Sequence, residues 1–277
     1  NDGTCNALHC SLREAINAAN SAVGPDTILF SGMGAGFHTI SPSTNLPTIT
    51  ATTLLDGTSH PDGRIEIDGT SVSTGLTLNN APSSLVRGVV INRASNIGLD
   101  FQGASGGSWV EGSYFGLDYA GAAISTINNV AVTVQSNSIT VGGALPAARN
   151  IILGANNYAL LLSGVSGAIV RGNYIGTDAA GTNDNFNGSY SVYSSGALSP
   201  VIGGAGAGEG NLISAANFGA GLILNGAGEL VQGNRIGSNS TGTSAIPNAT
   251  GVYAIGTTGA LIGGTAAGTG NLISGNQ

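Results

Sequence analysis

The chain repeats itself at a fixed distance. The stretch Trp109-Val110-Glu111-Gly112-Ser113-Tyr114-Phe115-Gly116-Leu117-Asp118 returns as Ile169–Asp178 and again as Leu230–Asn239, at offsets of 60 and 61 residues. Asn150-Ile151-Ile152-Leu153 returns at Asn211–Ser214 and Asn271–Ser274, and Val141-Gly142-Gly143 at Ile202–Gly204 and Ile262–Gly264. Self-similarity at such a period marks a solenoid. The recurring runs are three to five apolar residues bounded by Gly, Asn, Ser and Thr. They are too short and too rich in glycine for helices, and they read as strands. Dividing each 60-residue module into three turns of about 20 residues predicts an all-β parallel β-helix, each strand pairing with its equivalents about 4.8 Å above and below.

Composition agrees with a coil that turns often. Glycine supplies 47 of 277 residues, about 17%, more than twice the usual share of roughly 7%. Glycine provides positive φ or close backbone approach at corners. A 41% hydrophobic and 8% charged chain has too much apolar content for disorder. The net charge of -7, seven scattered arginines and no lysine leave no basic patch, which argues against nucleic acid and acidic membranes as partners. No apolar run approaches membrane-spanning length, and the start lacks the pattern of a secretory signal, which is expected to have been removed.

Matched slots assign inside and outside. Val110, Val170 and Val231 stay apolar while Glu111, Arg171 and Gln232 vary in charge; the first slot is expected inside and the second in water. Val170, Ile175, Leu212 and Ile213 are expected to fill a narrow interior. The stretch 176–182 reads as a turn built on Asp178. Asp118 and Asp178 share a slot that Asn239 takes in the third copy, so local hydrogen bonding explains them better than metal binding.

The N-terminus differs in kind. Ser11-Leu12-Arg13-Glu14 is a capping box leading into Ala15, Ile16, Ala18 and Ala19. Leu12, Ala15, Ile16 and Ala19 share a face that can cover the first coil. Residues 1–40 are thus expected to form a cap with the first strand, and 41–277 the β-helix. Cys5 and Cys10, five positions apart, read as a disulfide pinning the terminus in an oxidising, extracytoplasmic setting, with two buried thiols as the alternative. The sequence closes on the repeat motif Gly270–Gln277, and the expectation is that the chain continues or that another molecule occupies that end.

Cys10-Ser11-Leu12-Arg13-Glu14-Ala15-Ile16-Asn17-Ala18-Ala19-Asn20 resembles the CSLREA domain that begins large secreted bacterial β-helix proteins. Val170–Asp178 and Asn271–Asn276 look like the repeats that follow it, so the resemblance covers essentially the whole chain. It implies a right-handed, pectate-lyase-like β-helix at the cell surface and brings no catalytic residues with it.

Chemistry must be argued from the residues. Alternation along Arg64-Ile65-Glu66-Ile67-Asp68 places Arg64, Glu66 and Asp68 on one strand face. Carboxylates roughly 7 Å apart suit an inverting glycosidase, and calcium could bind there, although charges on a wet strand face with a weak Arg–Glu pair explain the run equally simply. Gly103-Ala104-Ser105-Gly106-Gly107 matches a nucleophile-elbow pattern without its strand-and-helix context. His9, His38 and His60 are isolated in sequence, with no metal-ligand spacing. Gly203–Gly208 reads as loop rather than a phosphate cradle. Trp109, Tyr114 and Tyr174 are candidates for an aromatic platform, with corner packing as the alternative. Asn187, Asn239 and Asn248 begin glycosylation sequons.

Two functional expectations follow. The first is a non-catalytic extracellular structural or adhesive rod that associates with itself through its ends, perhaps on extracellular glycans. The second is a polysaccharide lyase or glycoside hydrolase using Glu66 and Asp68 as acid and base.

Overall fold

The computed structural model describes Cys5 and residues 9–122, 129–153, 156–184 and 188–277. One helix, Leu12–Ser21, precedes three sheets of nine, nine and seven strands. Sheet A runs from Asp26–Leu29 to Leu261–Ile262, sheet B from Thr39–Ile40 to Leu272–Ile273, and sheet C from Thr74–Asn79 to Thr250–Ala254. Neighbouring strands within each sheet are parallel and come from successive turns of the chain. The parallel β-helix expected from the repeat is therefore present.

The length of a turn is not the expected one. Trp109 pairs with Thr140 and Thr140 with Ile169, offsets of 31 and 29 residues that together make one module. Each 60-residue module holds two turns of about 30 residues rather than three of 20. The reason is that each recurring motif carries two strands of a single turn. Trp109–Glu111 lies in sheet A, the chain turns at Gly112, and Tyr114–Phe115 lies in sheet B. The third side of the coil, such as Val130–Val134 and Tyr158–Ser163, does not repeat in sequence.

The interior is a set of stacked aliphatic columns. Leu55, Val86, Val110, Val141, Val170, Ile202 and Val231 succeed one another along sheet A, all 0–1% exposed. Ile67, Ile91, Phe115, Ile152, Ile175, Ile213 and Ile236 do the same in sheet B. Burying each such side chain contributes on the order of 1.5–3 kcal/mol. Leu212 departs from expectation. Its neighbour Ile213 faces inward, so alternation turns Leu212 to the outer face, in line with Tyr174 and Arg235. It is buried there because the 176–184 loop folds over it: a Cβ on Gly181 would come within 2.8 Å of Tyr174 and 2.9 Å of Leu212.

A row of asparagines ties the A–B corner together. Asn150 Nδ2 donates to Asn173 Oδ1, Asn173 to Asn211, Asn211 to Asn234 and Asn234 to Asn271, at 2.9–3.0 Å. Each Nδ2 also donates to a sheet A carbonyl of the preceding turn, as Asn211 does to Val170 at 2.8 Å. A buried amide is tolerated only when its donors and acceptor are satisfied, and here each asparagine satisfies the next. A second, shorter row joins Asn248 to Asn276. The corner from sheet C to sheet A needs one left-handed residue per turn, taken by Ser83 (φ 54°), Gly107 (77°), Ser138 (55°) and Ser199 (50°) among others.

The helix caps the coil as its sequence indicates. Ser11 Oγ accepts from Glu14 N–H, and the Glu14 carboxylate accepts from Ser11 N–H at 2.8 Å. Leu12, Ile16 and Ala19 are buried in the same core cluster as the first coil. Within the segment expected to act as a cap, Asp26–Leu29 and Thr39–Ile40 are already the first strands of sheets A and B. Cys5 and Cys10 form the disulfide.

Candidate functional site

The strand Ile65–Asp68 points Ile65 and Ile67 into the core, both 0% exposed. Arg64, Glu66 and Asp68 therefore share the outer face of sheet B, as alternation predicts. Their partners are not one another. Arg64 lies over the Tyr114 ring, 3.9 Å from its centroid, and donates to the Tyr114 hydroxyl at 2.9 Å. Glu66 is 7% exposed and accepts from Asn92 Nδ2 at 2.8 Å. Asp68 accepts from Thr70 N–H and Oγ1. Arg93 joins the two acids, with Nη1 3.2 Å from Asp68 Oδ2 and 3.8 Å from Glu66 Oε1. Burial pushes the Asp68 carboxyl up, but the Thr70 and Arg93 bonds outweigh it and hold the group below the usual carboxylate range. The expected Arg64–Glu66 pair is replaced because one turn later Asn92 and Arg93 lie beside the two acids. That neighbour is invisible until the turn length is known.

Two histidines meet nearby. His38 Nδ1 is 2.9 Å from His60 Nε2, and His60 is 2% exposed. The two are isolated in sequence only, because a separation of 22 residues is close to one turn of the coil. Among the described residues no group of three or more His, Cys, Asp or Glu converges as a metal site.

The turn slots behave alike. Asp118 accepts from Ala122 N–H, Asp178 from Thr182 and Asn183 N–H, and Asn239 from Thr243 and Ser244 N–H. Burial raises the Asp178 carboxyl, yet these bonds bring it below its ordinary value. Ser105 is 0% exposed, accepts from Ala81 N–H and donates to Gln102 O, so it is built into the coil and not presented as a nucleophile.

The aromatic platform does not form. Trp109 belongs to sheet A, whereas Tyr114 and Tyr174 lie in sheet B with Ile151 between them. Arg64 and Arg149 cover the two tyrosine rings. A different cluster sits on the outer face of sheet C, where Tyr158 lies 5.6 Å from Tyr190 and 5.2 Å from Tyr193. The same face carries Asp100, since Leu99 and Phe101 point inward. Asp100 is 3% exposed, and its carboxylate accepts from Gln102 and Gln135. Burial pushes its carboxyl above the ordinary value, and the two amides offset only part of that. Its register neighbour Thr133 has a buried hydroxyl without a partner. Neither residue stands out in sequence, because Asp100 is a single acid in an irregular stretch.

Of the sequons, Asn248 is 0% exposed and its amide is committed to Ile213 O and Asn276. Asn239 holds its turn, and Asn187 lies outside the described residues. Comparison of the chain with protein-family models and with curated proteins returns no match.

Proposed function

We propose that this chain is a non-catalytic structural or adhesive β-helix of the extracellular surface, resembling CSLREA-type secreted proteins, and that copies join end to end. The reading is carried by the last coil. Leu261, Ile262, Leu272 and Ile273 are 52, 42, 39 and 45% exposed, while Val231 and Ile236, stacked directly beneath, are 0% exposed. Such an edge presents both aliphatic surface and open strand hydrogen-bonding groups, the combination that templates another chain. Two further observations support it. Glu66 and Asp68 already hold internal partners, and the Cys5–Cys10 disulfide suits an oxidising compartment. Electron microscopy over a range of concentrations tests it. Rods that lengthen with concentration, and that Leu272→Glu keeps short, are expected; single rods at every concentration would overturn the self-association.

A second reading, a polysaccharide lyase or glycoside hydrolase, is favoured by sheet C, where a carboxyl raised by burial shares a face with three stacked tyrosines. Screening acidic and neutral glycans for new reducing or unsaturated ends tests it. Activity lost in Asp100→Asn but retained in Glu66→Gln/Asp68→Asn would support this reading, and absence of cleavage would remove it.

A further inference from the structure

The modules are not filled alike at one place on the outer A–B corner. In the second module Arg171 on sheet A pairs at 3.2 Å with Glu209, which projects from the corner loop of the next turn. In the third module the matching residues are Gln232 and Thr269, and the Gln232 amide donates to Gly263 O at 2.9 Å. In the first module they are Glu111 and Ala148. Ala148 has no group to meet Glu111, and a hollow of about 370 Å³ opens there, lined by Thr58, Arg87, Glu111, Leu145, Ala147 and Ala148.

The charge in this hollow is unbalanced. Arg87 lies closest to Glu111 but is taken by Asp56, through Nε to Oδ1 at 2.8 Å and Nη2 to Oδ2 at 2.7 Å. Among the described residues no hydrogen bond or ion pair reaches the Glu111 carboxylate. One positive and two negative groups leave a net charge of about -1 beside walls of Leu145, 71% exposed, and two alanines. A carboxylate next to an aliphatic wall favours a cation carried on a hydrocarbon stem.

We propose that this hollow binds an aliphatic primary ammonium, with Glu111 receiving the charge and Leu145, Ala147 and Ala148 covering the stem. A lysine side chain of a partner protein and a free alkylamine share that chemistry. A second copy of this chain cannot supply it, because the sequence contains no lysine. The inference stands independently of the end-to-end reading, since the hollow lies on the flank of the coil.

Trp109 is the one tryptophan of the chain and lies two residues before Glu111 on the same outer strand face, so its fluorescence can report occupancy. The full chain is titrated with n-pentylammonium chloride, with a lysine-containing peptide, and with n-pentanol as the neutral match, following Trp109 emission and heat by calorimetry. Saturable binding of at least one ammonium ligand is expected, weakened at least tenfold in Glu111→Gln and absent for pentanol. The double variant Glu111→Arg/Ala148→Glu, which transplants the second module's pair, is expected to abolish binding while leaving the circular dichroism spectrum unchanged. Binding of the peptide but not of pentylamine would assign the site to a protein partner, and the reverse to a small amine. No saturable binding by either measurement, or equal binding by Glu111→Gln, would overturn the proposal.

Discussion

Removing one amide from the asparagine row tests what holds the coil together. In Asn211→Ala four hydrogen bonds disappear: Nδ2 to Val170 O and to Asn234 Oδ1, and Asn173 N–H and Nδ2 to Asn211 Oδ1. Two of the abandoned groups keep other partners. Asn234 Oδ1 still accepts from Asn211 N–H, and Asn173 Nδ2 still donates to Val141 O and Arg171 O. The Asn173 N–H is left buried and unpaired. At about 1 kcal/mol net per bond, plus the heavier penalty for an orphaned buried donor, the loss comes to about 3–5 kcal/mol. That is a large part of the roughly 5–15 kcal/mol that stabilises an ordinary domain. Urea denaturation followed by circular dichroism measures the total, and hydrogen exchange at the Asn173 amide reads the broken contact directly. Asn17→Ala on the exposed side of the helix is the control, expected to shift stability by no more than about 0.5 kcal/mol. A loss below about 1 kcal/mol for Asn211→Ala, or an Asn173 amide that stays protected, would refute the reasoning.

Other perturbations have definite signs. Asp100→Asn is expected to stabilise the chain at pH 7 by about 1 kcal/mol by removing a buried charge without a cation. Because the folded-state carboxyl titrates above its unfolded value, the penalty is absent at low pH and grows as pH rises. The advantage of Asp100→Asn should therefore vanish below about pH 4, which thermal melts across pH would show. Asp56 has the opposite sign: the Arg87 hydrogen bond, against a smaller effect of burial, holds it below its ordinary value of 3.8. Its contribution is present at neutral pH and is lost as pH falls through that folded-state value, so Asp56→Asn should cost at most about 1 kcal/mol at pH 7 and almost nothing in strong acid. Arg93→Ala leaves Glu66 without its nearest cation and is expected to cost about 1 kcal/mol in the same melts. Arg93→Gly should cost less, because Arg93 sits at a φ of 56° that glycine adopts freely.

Much of the architecture is legible in the sequence because it rests on short-range rules. The capping box at Ser11 and Glu14, the alternation of Ile65 and Ile67 with their charged neighbours, and the turn at Asp178 each depend on a few adjacent residues. The turn length was harder to read. Sheets A and B recur in sequence because their strands sit at glycine corners and carry the asparagine row, whereas sheet C is held by length and apolar content alone and its strands vary. With only two sides visible, two motifs of one module do not show how many turns they span. Everything that depends on the turn length was hidden with it: Asn92 and Arg93 beside Glu66 and Asp68, His38 against His60, and Tyr158 among Tyr190 and Tyr193. The role of Asn150, Asn211 and Asn271 was visible as repetition but not as bonding, since their partners Asn173 and Asn234 belong to the other motif of the module.

The register of the coil is the claim on which the rest depends, and methyl NMR measures it most directly. Selectively labelled valine methyls should give nuclear Overhauser contacts from Val110 to Val141 and from Val141 to Val170, the neighbours one turn apart in sheet A. A coil of 20-residue turns would instead place Val110 against Val130, and a contact between those two, with Val110–Val141 missing, would contradict the account.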